Sequence, residues 1–256
     1  MSLARVLVSR PGAAAFGLAT AAAVVGLVEV LIRAGVINRF IVPLPSQILA
    51  AIPRIVVEEH VLQRFWQTTQ EIVWASLLIA FFGVGFGALL HRVRILRAAC
   101  ETWVAALASA PIVLMYPLFL VIFGRSATTI VMIGFAAGLA PVILKTVEGL
   151  VATRQVLIDV GRSFRLSPAQ QFWRILLPAA LPSVFVGLKL GLIFAMINIV
   201  GVEFLINFGG LGQLINELAE RYDLPATYGA ILFVILASIV FFEAAERLER
   251  WLRHAD

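Results

Sequence analysis

Charge is scarce in this sequence. Only 14% of its 256 residues are Asp, Glu, Lys or Arg, against 61% hydrophobic, and its mean hydropathy is +1.00. A water-soluble domain carries about 25% charge, because it has a large wet surface to cover. This chain has too little to solvate such a globule, so lipid must be its main solvent. The single cysteine, Cys100, excludes a disulfide within the chain, and no Cys/His cluster has metal-ligand spacing. The three histidines, His60, His91 and His254, lie outside the apolar runs and far apart, which gives no cluster of acids, bases or ligands for an enzyme. The phosphate-cradling pattern G-x-x-x-x-G-K-[ST] is missing too, so no nucleotide hydrolysis is expected on this chain. A net charge of +5 raises the question of nucleic acid. The arginines, however, fall in short groups between apolar runs, with no basic face interleaved with aromatics.

What the sequence has in quantity is long apolar runs. Crossing about 30 Å of hydrocarbon takes about 20 helical residues, and six stretches qualify: 13–32, 72–90, 103–123, 128–147, 179–206 and 228–245. In lipid, only helices or a closed barrel satisfy every backbone group. The runs lack the alternation of barrel strands, so the fold class is all-α: a single polytopic domain over 1–256 with about six transmembrane helices. The basic start is followed by a run too long for a signal-peptide core, and it reads as a retained first span. With the N-terminus in the cytoplasm, the inner segments hold Arg5, Arg10, Arg92, Arg94, Arg97, Lys145, Arg154, Arg162, Arg165, Arg174, Arg247, Arg250 and Arg253, which is 13 of the 20 basic residues. That excess places both termini in the cytoplasm.

Two segments do not span. The outer one carries Pro43-Leu44-Pro45-Ser46 and then a stretch, 46–57, suited to a short interfacial helix. The cytoplasmic one, 148–178, is long for a structureless loop. Within it 149–164 is helix-compatible, with Val156, Val160 and Phe164 at i, i+4 and i+8. Ser167-Pro168-Ala169-Gln170 then offers a capping box with Pro at the first helical position. The second helix carries Phe172, Trp173, Ile175 and Leu176 and is expected to stop at Leu177-Pro178. Apolar side chains that the membrane does not require, on two cytoplasmic helices, form a docking surface for a cytosolic partner.

Asp159-Val160-Gly161-Arg162-Ser163-Phe164-Arg165, followed by Ile175-Leu176-Leu177-Pro178, resembles the EAA loop of ABC-importer permeases: Glu-Ala-Ala, three residues, Gly, nine residues, Ile-x-Leu-Pro. The spacing fits without a gap. Ala179-Ala180-Leu181-Pro182-Ser183, Pro117-Leu118-Phe119 with Phe123-Gly124, and Pro43-Leu44-Pro45-Ser46 extend the likeness to nitrate/sulfonate/taurine-type permeases over nearly the whole chain. Asp159 stands in place of Glu, Val160 and Gly161 in place of Ala-Ala, and Arg165 in place of Gly. The resemblance implies a permease subunit of the bacterial inner membrane that forms the path of a small solute: nitrate, a sulfonate, taurine or a related organic anion. It implies a cytosolic ABC ATPase dimer that holds ATP and magnesium, a second permease copy (identical or related), and an external substrate-binding protein. The expected coupling residues are Asp159, Val160, Gly161, Arg162, Ser163, Phe164, Arg165, Phe172, Ile175, Leu177 and Pro178.

Within the spans, Pro111 and Pro117 break helical bonding in the third run, either to kink it or to expose carbonyls to a solute. Ser109, Met115 and Tyr116 beside them, with Asn198 and Glu203, are the candidate pathway residues. Glu29 is expected to pair with Arg33, its i+4 neighbour, and Lys189 to snorkel or pair. Gly83, Gly85 and Gly87 suit close helix packing, His91 marks a helix end, and Gly209-Gly210-Leu211-Gly212 turns the chain into a short outer helix. An ion-gradient-driven secondary transporter is the alternative. It would favour an inverted repeat and paired intramembrane carboxylates, and neither stands out.

Overall fold

The computed structural model describes residues 10–253, so Arg5 and His254 lie outside the described residues. Within them every element is helical. Helix α1 covers Arg10–Arg33 and α2 covers Pro45–Val57. Helix α3, Val61–Leu78, passes through a π-helical turn, Ile79–Gly83, into α4, Val84–Arg92. Then come α5, Arg94–Ser109, a 3-10 turn at Ile112–Met115, and α6, Tyr116–Phe123. Helix α7 is Ala127–Val151 and α8 is Gln155–Ser163. The short α9, Pro168–Gln171, runs through a second π-helical turn, Phe172–Leu176, into α10, Leu177–Ile206. Helices α11, Gly210–Glu220, and α12, Leu224–Arg253, close the chain.

Five of these helical stretches are long and apolar enough to cross a membrane, and the sixth is a broken pair. The expected third span, 103–123, is not one rod: α5 and the segment 112–123 meet at 91°. Pro111 causes the break. The residue before a proline is pushed out of the α region, and Ala110 accordingly sits at φ −75, ψ 135. Pro117 causes none, because it lies in the first turn of α6, where no N–H is required. The second span also begins earlier than hydropathy indicated. Residues 61–71 are polar along one face, so an average over the window hid a helix that α3 carries without interruption.

The centre of the bundle is α7 against α10, with α3 beside them. Ile130, Ile133 and Ala137 meet Ala195, Ile199 and Val202, and Ile72, Ala75 and Ile79 close the cluster. Between lipid-solvated helices, association depends on close van der Waals packing rather than on burial from water. At the crossing, a Cβ added to Gly138 would lie 2.6 Å from the Gly191 carbonyl oxygen, so only glycine permits this approach. Gly83 and Gly87 pack as closely on Val142 and Thr146 of α7, whereas Gly85 faces open space.

One end of the bundle is built from α2, α11 and the start of α12, through Ile55, Leu211, Leu214, Leu218, Ala226 and Ala230. Three ion pairs knit its surface: Arg54 with Asp223, Arg64 with Glu217, and Arg221 with Glu59. Helix α1 stands at the side, with Phe16, Leu18, Leu27 and Val30 exposed. It is tied in by Glu29, which accepts hydrogen bonds from Arg33 at 2.6 Å and from the Ser46 hydroxyl and backbone at 2.8 and 3.1 Å. Lys189 pairs with Glu249 of α12 at 2.8 Å. Arg125 donates its Nε–H to the Ile206 carbonyl at 3.0 Å, placing a cation at the C-terminus of α10.

Candidate functional site

Opposite the α2–α11 end, α8 and α9 project from the bundle as a unit. Helix α8 does not continue α7: the chain turns at 152–154 and restarts at Gln155. It ends in a Schellman arrangement, in which Leu166 donates its N–H to the Gly161 carbonyl (3.0 Å) and Arg165 donates to that of Arg162 (2.9 Å). Arg165 carries the left-handed conformation this needs, at φ +55. The turn that the motif glycine would make is therefore kept with an arginine in it. The capping box forms as read: Gln170 donates its N–H to the Ser167 hydroxyl at 3.3 Å, and the Gln170 side-chain oxygen accepts from the Ser167 N–H at 2.9 Å.

The second helix does not stop at Leu177-Pro178. Pro178 cannot donate a hydrogen bond, and its ring crowds the carbonyl four residues back. The helix widens into the π-helical turn over Phe172–Leu176 and continues straight into α10. The two pieces lock together closely. A Cβ on Gly161 would sit 2.5 Å from Ile175 Cδ1, and Gln171 Nε2 donates to the Ile158 carbonyl at 2.9 Å. Phe172 packs edge-on against Trp173 (5.4 Å between centroids) and reaches the cluster of Leu150, Ala180 and Val184.

The outward face of α8 is apolar and uncovered: Val156, Val160 and Phe164 are 71%, 46% and 75% exposed. Asp159 lies beside this stripe, accepting from Gln155 Nε2 at 3.1 Å and from Arg162 Nη1 at 3.2 Å. Covering a large apolar side chain contributes about 1.5–3 kcal/mol, while an exposed ion pair contributes about 0–1 kcal/mol. The stripe is therefore the part of this face whose covering would contribute most, and the Asp159–Arg162 pair contributes little as long as it stays exposed.

The candidate pathway residues are scattered. Ser109 and Met115 are exposed on either side of the Pro111 bend, and Tyr116 packs on the central core. Asn198 is buried within α10 and donates to the Phe194 carbonyl at 2.8 Å. Glu203 has no exposed surface. It accepts from the Thr68 hydroxyl and from the Gly212 N–H, both at 2.7 Å, while Thr68 Oγ1 accepts from the Leu211 N–H at 2.9 Å. Glu203 thus caps α11 at its N-terminus, where a carboxylate is favoured by the free N–H groups and the helix dipole. The glycines around it make room: a Cβ on Gly212 would lie 2.2 Å from the Val200 carbonyl oxygen.

None of these five lines the main polar cavity, a cleft of about 730 Å³ between α3 and the 208–213 turn. Its wall on α3 is a stripe at helical spacing: Gln63, Gln67, Gln70, Glu71 and Trp74, with Arg64 at the mouth. Glu71 is almost fully buried and faces Glu203. The sequence reading missed this stripe because it started the second span at residue 72. The signal was there, as polar side chains recurring every three or four residues just before an apolar run.

Comparison with known proteins agrees with this architecture. The taurine transport system permease TauC of Escherichia coli K12 is 23% identical over 221 residues, 84% of this chain and 80% of that protein. The glycine betaine/carnitine/choline permease OpuCD of Bacillus subtilis is 28% identical over 77% of this chain and 84% of that protein. The fold matches a chain of the inward-facing MetNI methionine ABC transporter with a TM-score of 0.65 at 19% identity, over 74% of this chain and 94% of that one. These likenesses favour the ATP-driven importer over an ion-gradient-driven transporter. The model of the binding-protein-dependent transport system inner membrane component matches residues 79–254, and the chain belongs to that family: it is a multi-pass inner-membrane permease of an ABC importer.

Proposed function

We infer that this permease, paired with a second copy of itself, forms the path of a small charged organic solute. Nitrate, a sulfonate, taurine and related organic anions are the substrate class, and the relative named for taurine is in keeping with it. Two cytosolic ATPase subunits hold ATP and magnesium, and an external binding protein delivers the solute to the α2–α11 end. Both termini and the α8–α9 unit face the cytoplasm. The coupling residues are Asp159 to Arg165 together with Phe172, Ile175, Leu177 and Pro178.

The observation that carries this reading is the uncovered stripe Val156, Val160 and Phe164 on a helix locked to the start of α10. The helical stretch Pro168–Ile206 is unbroken over 39 residues, which at 1.5 Å per residue is roughly 58 Å. A displacement of α8 by a closing ATPase pair would pass through the Gly161–Ile175 contact into α10. At the far end of α10, Glu203 holds α11 through its cap, so the same helix reaches the outer surface.

The test is purification of the tagged chain in mild detergent from its own host. An ATPase subunit should co-purify, and Val160→Asp combined with Phe164→Asp should release it while the permease stays in the membrane. A permease that purifies without any ATPase, under conditions that keep it folded, would refute the proposal.

A further inference from the structure

A smaller cleft, of about 510 Å³, lies on the α8–α9 side of the bundle, where the last turn of α4 meets α9 and the π-helical turn after it. Its lining is amphipathic: Leu89, Phe172, Trp173 and Leu176 are apolar, and His91 and Arg92 are polar. No carboxylate is among the lining residues. Other cations near this end find an acid one turn away, Arg97 on Glu101 and Lys145 on Glu148. Arg92 is exposed and has no such partner among the described residues, and neither have Arg94 and Arg174, which adjoin lining positions in the chain. His91 Nδ1 is buried without a partner among the described residues, which leaves Nε2 as the nitrogen within reach of a ligand.

The cleft sits at the edge of the apolar layer. Arg92 is the last residue of one membrane-length helical stretch, Val61–Arg92, and Trp173 lies near the start of another, Pro168–Ile206. Trp173 is 66% exposed, and tryptophan gathers at the membrane–water boundary, where its ring is in lipid and its N–H is wet. The cleft is also turned away from α8. Gln171 and Ile175 form the face that meets α8, whereas Phe172, Trp173 and Leu176 line the cleft. An apolar groove with an unpaired guanidinium at the water's edge complements a phosphate joined to acyl chains. We propose that this cleft binds one anionic phospholipid of the leaflet on the α8–α9 side, its phosphate on Arg92 and His91 and its upper acyl carbons on Leu89, Trp173 and Leu176. Guanidinium and phosphate form a charge-assisted, bidentate pair, and basic pockets between helices at a membrane surface hold such headgroups. A zwitterionic lipid brings its own cation to the same phosphate, so it competes poorly for the arginine. One wall of the cleft is α4 and the other is the segment locked to α8 through Gly161 and Ile175. The bound lipid would therefore brace the α8–α9 unit against the bundle.

The test uses the purified transporter in phosphatidylcholine vesicles doped with either phosphatidylglycerol or phosphatidylcholine brominated high on the acyl chains. Bromine quenches a tryptophan that it touches, and the signal of Trp173 is the difference between wild type and Trp173→Phe. Brominated phosphatidylglycerol should quench Trp173 at a membrane fraction at least about fivefold lower than brominated phosphatidylcholine. Arg92→Gln, at an exposed position where folding is not at stake, should erase that preference, and Arg92→Lys should keep part of it. Arg97→Gln removes a cation near the same end but outside the cleft, and should leave the preference unchanged. Equal quenching by the two lipids, a preference that survives Arg92→Gln, or one lost equally in Arg97→Gln would overturn the site. Absence of quenching by either lipid would show that the ATPase covers the cleft, and displacement of the brominated lipid by inorganic phosphate would show a free anion in it. Each of these results would also overturn the lipid assignment. The readout needs no transport, so its outcome is separate from that of the permease reading.

Discussion

Replacing Arg165 tests the coupling turn most sharply, because backbone geometry and side-chain chemistry predict different orders of variants. Arg165 sits at φ +55, a conformation that costs a residue with a Cβ about 1–2 kcal/mol. Glycine removes that cost but brings about 0.5–1 kcal/mol of extra freedom in the unfolded chain. Arg165→Gly should therefore stabilise the turn by a net 0.5–1 kcal/mol or so. Arg165→Ala removes the guanidinium and keeps the strain, so it should match wild type within about 0.5 kcal/mol. Arg165→Val adds β-branching, which the left-handed region tolerates worst. Hydrogen exchange of the Leu166 amide, which donates to Gly161 across the turn, reads this locally. About 1 kcal/mol is roughly a fivefold change in the open population, so exchange should slow in the order Val, Ala with Arg, then Gly. Protection in Arg165→Val equal to that in Arg165→Gly would refute the left-handed turn.

Asp159→Ala should lower ATPase association or solute-stimulated hydrolysis at least about tenfold, because truncating one partner of a covered interface pair costs about 2–5 kcal/mol; near-wild-type transport in vesicles would remove that carboxylate from the coupling surface. Glu203→Leu strands the Thr68 hydroxyl and the Gly212 N–H at about 1–3 kcal/mol each, so its thermal midpoint in detergent should fall clearly, and an unchanged midpoint would contradict the capping role. In a Cys100→Ser background, cysteines placed at Arg165 and Asn216 should react with impermeant reagents from opposite sides of the membrane; labelling of both from one side would overturn the arrangement of α10 and α11. Mass spectrometry of the intact transporter should show one permease mass, and two distinct masses would replace the homodimer with a mixed pair.

Several elements were legible because local chemistry decides them. Ser167, Pro168 and Gln170 wrote a helix start that the structure builds bond for bond, and Glu29 found Arg33 one turn away. The Pro111 break and the continuation through Pro178 were harder, since a proline's effect depends on its position within the turn. Pro117 is harmless at a helix start, and Pro178 is accommodated by a wider turn upstream. The cleft was hidden for a different reason. Gln67, Gln70 and Glu71 lie on one face of a helix whose other face is apolar, so averaged hydropathy counted them as an outer segment. The partnership of Glu203 with Thr68 and Gly212 joins positions 135 and 9 residues apart. The first of these separations no local pattern could have announced.

Chemical energy spent on the α8–α9 side should drive a solute in from the α2–α11 side. Vesicles carrying the purified complex test it directly, with binding protein and labelled solute on one side, ATP and magnesium on the other, and ion gradients collapsed. Uptake should occur only when ATP is on the side at which a cysteine at position 165 labels and the binding protein is on the opposite side. Uptake that proceeds without ATP and follows an imposed ion gradient would contradict it.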